Sequence, residues 1–187
     1  MTDFPRYTLE NAPDAAQAKL AALQKSFGFV PSMLKIMAGA PPLLNVYLDA
    51  HQALQSSILS KEELTVIWQS INVEHSCLFC VPAHTNIANM MGVDENITNA
   101  LRNETPLADT KLEALRTFVL SMVRKRGEVS ESELSEFFAA GYSHEHVLLV
   151  ILGIGQKVMS NYTNHVAKTP LDTPFKKFEW AKTSKGA

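Results

Sequence analysis

Cys77 and Cys80 are the only cysteines among 187 residues, and they stand three apart in the segment Glu74-His75-Ser76-Cys77-Leu78-Phe79-Cys80-Val81-Pro82-Ala83-His84. A thiol attacks only as thiolate, and a helix N-terminus favours the thiolate through its unpaired amides and the positive end of its dipole. Residues three apart on a helix share a face with Cα separations of roughly 5 to 6 Å, within the span of a disulfide. The pair therefore suits reversible dithiol/disulfide chemistry. His84 lies one turn beyond Cys80, where an imidazole could take the thiol proton or return it to a leaving group. From Cys77 the same ring is about 10.5 Å along the axis. This spacing makes Cys80 the expected nucleophile, Cys77 the resolving thiol and His84 the proton relay. Glu74 and His75 are further candidates, close enough to orient an imidazole if the chain turns there.

Other chemistry fits the segment less well. Cys77, Cys80, His84 and His75 are types that bind zinc, but a closed zinc site usually draws two ligand pairs from separate elements, and no second pair exists. No metal and no cofactor is expected. A thioredoxin-like motif needs a preceding strand, whereas the preceding segment reads helical. The glycines of Leu152-Gly153-Ile154-Gly155-Gln156 lack the strand and third glycine of a phosphate loop, so both are assigned to close helix packing.

The elements that must position these groups are helices. Ala16, Leu20, Leu23 and Phe27 form one apolar helical face that Gly28 stops, and Ser32 starts a short helix through Met37. Pro41-Pro42 opens a helix through Tyr47, His51 and Gln55. Ser60 with Glu63 is a capping box for a helix through Trp68 and Ile71. The next helix is expected to begin near Ser76 or Cys77 and to end at Gly92, since Pro82 is tolerated only in a first turn. Further helices are expected at Asp94 to Arg102, Thr110 to Arg126, Ser130 to Ala140 and Ser143 to about Ala167. Pro170 and Pro174 then open an irregular tail. The expectation is an all-α protein of about eight helices, a single domain over residues 1–187 with a tail from about residue 170.

Bulk properties narrow the partners. The chain is 46% hydrophobic with a formal charge of −2, and it has no basic stripe, so neither nucleic acid nor an anionic membrane is an expected partner. The start Met1-Thr2-Asp3-Phe4-Pro5-Arg6 lacks an apolar leader, and no run reaches the ~18 apolar residues of a membrane span. A cytoplasmic setting is expected, where a cysteine pair is more often redox-active or metal-bound than a structural staple.

The segment from Ser60 to Asn89 resembles the alkyl hydroperoxidase D family of the carboxymuconolactone decarboxylase-like superfamily. The likeness is carried by Asn72-Val73-Glu74-His75, Cys77-Leu78-Phe79-Cys80 and Pro82-Ala83-His84-Thr85. Phe27-Gly28-Phe29-Val30-Pro31 upstream is similar to the family's entry segment. Ala140-Gly141-Tyr142-Ser143 and Asn161-Tyr162-Thr163-Asn164-His165 downstream resemble its uncharacterised peroxidase-related branch. The resemblance implies an all-α fold, self-assembly into a trimer, hexamer or related oligomer, and a cofactor-free thiol peroxidase activity. It casts Cys80 as the peroxidatic cysteine, Cys77 as the resolving one and His84 as the relay. The peroxide would enter an apolar pocket near Leu78, Phe79 and Trp68, and an external dithiol would reset the disulfide. Two positions depart from the pattern: the relay glutamate is replaced by Thr65, and a second relay histidine by Phe79. Glu74, Glu62 and His75 are the candidates to replace the lost carboxylate. A decarboxylase- or isomerase-type enzyme that ignores the thiols, and a non-enzymatic redox sensor or assembly module, are the rival readings.

Overall fold

The Ser60 hydroxyl accepts the Glu63 N–H at 3.1 Å while the Glu63 carboxylate accepts the Ser60 N–H at 2.9 Å, and this reciprocal cap starts the central helix α4 (Lys61–Glu74). Every residue of α4 from Glu63 to Val73 is buried, so it has no solvent face and packs on all sides. The computed structural model describes residues 3–182; residues 1–2 and 183–187, the two ends of the expected span, lie outside the described residues. Around α4 are α1 (Asp14–Phe27), α2 (Ser32–Met37), α3 (Pro41–Gln55), α5 (Cys80–Met90), α6 (Glu95–Arg102), α7 (Thr110–Arg124), α8 (Glu131–Ala139) and α9 (His144–Ala167). With a 3-10 helix at Thr173–Phe178 that makes ten helices and no strand among the described residues, an all-α fold with two more elements than the eight expected.

Two apolar clusters flank α4. One joins Ile67, Trp68 and Ile71 to Leu115, Phe118 and Phe137 of α7 and α8. The other gathers Leu20, Met33, Leu44 and Tyr47 around Cys77, Cys80 and Phe175, so the thiols sit inside a core. α9 crosses α4 closely at Gly153, where an added Cβ would lie 2.6 Å from Ile67 Cγ2. Gly155 behaves differently from the sequence expectation: it faces open space.

The segment after Pro170 is more ordered than an irregular tail. The Asp172 carboxylate accepts the Ser32 N–H at 2.9 Å and the Ser32 hydroxyl at 2.6 Å, capping α2 from across the chain. Phe175 then inserts between Phe29 and Phe79, with ring centroids 5.9 Å from each. Trp180 donates to the Arg102 carbonyl at 3.0 Å, and Arg102 donates to the carbonyls of Phe178 and Glu179. These long-range contacts have no periodic signature in sequence. Among the described residues no single helix is long and apolar enough to cross a membrane.

Candidate active site

Cys77 sits at a junction between two helices. α4 ends with Ser76 in the left-handed region (φ 55°), the Ser76 N–H on the Val73 carbonyl and the Cys77 N–H on the Asn72 carbonyl, the paired bonds of a Schellman turn. The regular helix α5 starts at Cys80, four residues later than the earliest expected start, because this turn occupies Ser76. Cys77 nevertheless acts as the cap. Its carbonyl accepts the Val81 N–H at 3.1 Å and its sulfur accepts the Cys80 N–H at 3.3 Å.

The two thiols are free and closed off from solvent, with Cys77 0% and Cys80 2% exposed. A hydrogen bond from the Cys80 thiol, reinforced by the Cys80 and Phe79 amides, holds Cys77 down to about 6 against the opposing effect of burial. Burial and the neighbouring sulfur push Cys80 well above the usual thiol range, while Lys157 pulls it back. The two sulfurs therefore differ in acidity, and ionisation of the pair favours Cys77.

α9 supplies the other polar groups from one face. The Asn164 amide donates to Cys80 Sγ at 3.1 Å and lies 4.0 Å from Cys77 Sγ. Asn161 donates to Asn72 Oδ1 at 2.9 Å and accepts from His75 Nδ1 at 2.9 Å. Asn72 continues the chain to Gln69, which donates to the Val81 carbonyl and the Thr85 hydroxyl. This ladder fixes the α4–α5 angle on which the cysteine geometry depends.

His84 is not hydrogen-bonded to either thiol. Its Nε2 accepts from Lys157 Nζ at 2.6 Å, its ring lies 5.0 Å from that of Trp68, and its Nδ1 has no partner. Burial, together with the charge of Lys157, holds His84 well below the usual imidazole range, so it is neutral. His51 stacks on Trp68 with ring centroids 4.9 Å apart, and is pushed down to about 4 by burial and by Lys157. Lys157 is 0% exposed, and burial lowers it to about 8 although both cysteines pull the other way.

The remaining expected groups are placed elsewhere. The Glu74 carboxylate is held by Arg124 through two 2.8 Å hydrogen bonds, which keep it below the usual carboxylate range. Glu62 pairs at the surface with Lys61. Thr65 turns its hydroxyl onto the Lys61 carbonyl of its own helix at 2.8 Å. Neither Glu74 nor Glu62 thus brings its carboxylate to the thiols, and among the described residues His75 is linked to the site through Asn161. The expected pocket also divides: Leu78 is 59% exposed, Phe79 packs on Phe175, and Trp68 packs on the histidines. Among the described residues no three His, Cys, Asp or Glu side chains converge to hold a metal ion. Sequence reasoning missed Lys157 and Tyr47, and it met Asn164 only within the segment Asn161-Tyr162-Thr163-Asn164-His165 that carries the resemblance. The available signal was Gln156-Lys157, a polar pair inside the apolar middle of α9.

No protein-family model matches the chain, and a search of curated proteins gave no match. Solved structures do match. The chain is similar to an uncharacterised peroxidase-related protein with an alkylhydroperoxidase AhpD core from Ralstonia eutropha JMP134, with TM-score 0.81 and 20% identity over 92% of this chain and 93% of the other. An uncharacterised peroxidase-related protein from Silicibacter sp. TM1040 gives TM-score 0.78 and 22% identity over 93% and 92%. The debrominase Bmp8, solved as a cysteine-to-alanine variant with 2,3,4-tribromopyrrole, gives TM-score 0.74 and 15% identity over 95% of each chain. The chain accordingly has the alkylhydroperoxidase D-like fold of the peroxidase-related proteins.

Proposed function

We propose that the protein is a thiol-dependent oxidoreductase that reduces hydroperoxides through a Cys77–Cys80 dithiol/disulfide cycle. One observation carries this reading: two free thiols lie buried together at the start of α5, with the Cys80 N–H on the Cys77 sulfur and the Asn164 amide on the Cys80 sulfur. Cys80 is the attacking sulfur in the proposal, because Asn164 and the charge of Lys157 bear on it and a proton passed to Cys77 leaves Cys80 as thiolate. Attack on the O–O bond gives a Cys80 sulfenic acid and an alkoxide that takes a proton to leave as alcohol. The Cys77 thiol then condenses with the sulfenic acid to give disulfide and water. An external dithiol restores the pair by exchange. The exposed residues Leu148, Ile151, Tyr162 and Val166 form a helical stripe on α9 that supports self-association, which light scattering would measure. A reducing, cytoplasmic setting suits this chemistry.

The test follows thiol content and intact mass on titration with hydrogen peroxide and cumene hydroperoxide. Loss of two thiols and about 2 Da per chain, with sulfenic acid trapped on Cys80 in Cys77→Ser, is the expected result. Full peroxide consumption by Cys80→Ser would sink the assignment of the attacking sulfur, and unreactive thiols would sink the peroxidase reading. A second reading, reductive debromination of a halogenated aromatic, has the fold of Bmp8 in its favour. There the dithiol would supply two electrons and two protons, one proton to the ring carbon and one to bromide, leaving disulfide, the dehalogenated ring and hydrogen bromide. Bromide release from 2,3,4-tribromopyrrole, without peroxide consumption, would favour it.

A further inference from the structure

Lys157 poses a problem that the dithiol cycle leaves unanswered. It is fully buried, and among the described residues no carboxylate lies within ion-pair distance of it. An ammonium removed from water with no counter-charge costs several kcal/mol. What surrounds it is neutral. α5 presents His84, which accepts from Nζ at 2.6 Å. α4 presents the Trp68 ring, with Nζ 5.4 Å from its centroid, and α3 presents Tyr47, at 6.0 Å, and His51. Such ring faces attract a cation but do not cancel its charge. The Tyr47 phenol is pushed up by burial and by the sulfurs, so it stays protonated. The groups left to carry a negative charge are Cys80 and Cys77. Lys157 stands seven residues before Asn164, whose amide meets Cys80 Sγ, so the two share a face of α9. His165, at the exposed end of the same helix, adds a positive influence on Cys77.

We propose that the Lys157 ammonium is the counter-charge of the Cys77–Cys80 thiolate and the acid that protonates the departing alkoxide, in a site where Thr65 provides no carboxylate relay. This rests on the peroxide-reducing reading for its second half only. The site begins as one ammonium, one thiolate and one thiol. Attack by the thiolate on the hydroperoxide forms the S–O bond, breaks the O–O bond and expels an alkoxide, which takes a proton from Lys157 and leaves as alcohol. The second thiol displaces hydroxide from the sulfenic acid and gives up its proton, so water leaves and the S–S bond forms. The site ends as neutral amine and disulfide. Thiolate and ammonium vanish together, so the core never holds an unpaired charge, and two protons from an external dithiol restore both groups. His84 orients the ammonium through its Nε2 and is a positioning residue in this scheme.

The counter-charge is tested without peroxide, by the thiolate absorbance at 240 nm of reduced protein against pH. In Lys157→Met, which keeps the volume of the side chain, the first thiolate step should move up by at least one pH unit, a tenfold loss of thiolate on the acid side of the step. An unmoved step in a variant with native circular dichroism would overturn the proposal. The wild-type protein gives a test that needs no substitution. The Lys157 side-chain amine, followed by NMR in the reduced protein and in the disulfide form made with oxidised dithiothreitol, should titrate at lower pH in the disulfide. Equal titration in both forms would overturn it. The proton-donor half is read from single-turnover oxidation by cumene hydroperoxide at a pH where wild type and Lys157→Met are equally ionised. A residual defect of tenfold or more is expected, and equal rates would remove the donor role. If wild type ignores peroxide, the function fails while the two titrations still decide the counter-charge.

Discussion

Asn164 and Cys80 lie 84 residues apart in sequence, and the amide of one donates to the sulfur of the other at 3.1 Å. The same amide contacts Met33 Sδ, while its Oδ1 is buried without a partner. An amide held in this way, with its acceptor side unsatisfied, favours negative charge on the sulfur it faces. Asn164→Leu keeps the volume and removes the donor. A hydrogen bond to a charged group contributes about 1.5–3 kcal/mol, so thiol oxidation by peroxide near neutral pH should slow about 10- to 100-fold. Stopped-flow thiol loss measures it, and a rate within twofold of wild type would refute the role.

Acid should destabilise the protein before its carboxylates titrate. His51 accepts from Gln156 on Nδ1 at 3.3 Å and is held down to about 4, so between that value and 6.5 the unfolded chain binds a proton that the folded one refuses. The stability from this group is present above pH 6.5 and is lost as pH falls toward 4. Allowing for its partial exposure, a loss of about 2 kcal/mol is expected from His51, and His84 adds to it in the same direction. Urea unfolding at pH 7, 5.5 and 4.5 would show the slope, which His51→Phe should make shallower.

Asp172 joins the last ordered segment to the start of α2 through two hydrogen bonds to Ser32. Asp172→Ala should cost about 1–2 kcal/mol in denaturant unfolding, the usual value of a lost helix cap. It should also raise the alkylation rate of Cys77 and Cys80, because Phe175 of the same segment covers Phe79. Destabilisation with unchanged alkylation would mean that the segment does not shield the thiols.

Ser76 adopts φ 55° without being glycine, at the turn that sets the position of Cys77. Ser76→Gly relieves the steric cost of that conformation while adding backbone entropy to the unfolded chain. The net should be a gain of about 0.5 kcal/mol, seen as a raised midpoint in urea. A loss of stability would mean that the serine side chain contributes to the turn.

What was legible in the sequence was local. Ser60 and Glu63 cap one another across three residues, and Gly28 stops its helix with positive φ, because each signal acts within one turn of chain. The cysteine pair was legible for the same reason. The expected His84–Cys80 contact is not made, because spacing along one helix does not say which side chain from another helix intervenes: Lys157, 73 residues away, takes the imidazole nitrogen. Glu74 is likewise engaged by a residue that local spacing does not show, Arg124, which lies 50 residues beyond it. The tail was read as irregular because Phe175 and Trp180 declare their place only through Phe79 and Arg102.

Both sulfurs are shut inside the second core cluster, beneath Phe79 and the segment bearing Phe175. A reagent cannot collide with an atom it cannot touch, so each encounter waits for a fluctuation that lifts part of this cover. The oxidation rate should then rise with peroxide concentration only until it equals the frequency of opening. Beyond that the protein acts as its own clock, and small and bulky hydroperoxides converge on one ceiling that strict second-order kinetics would not show.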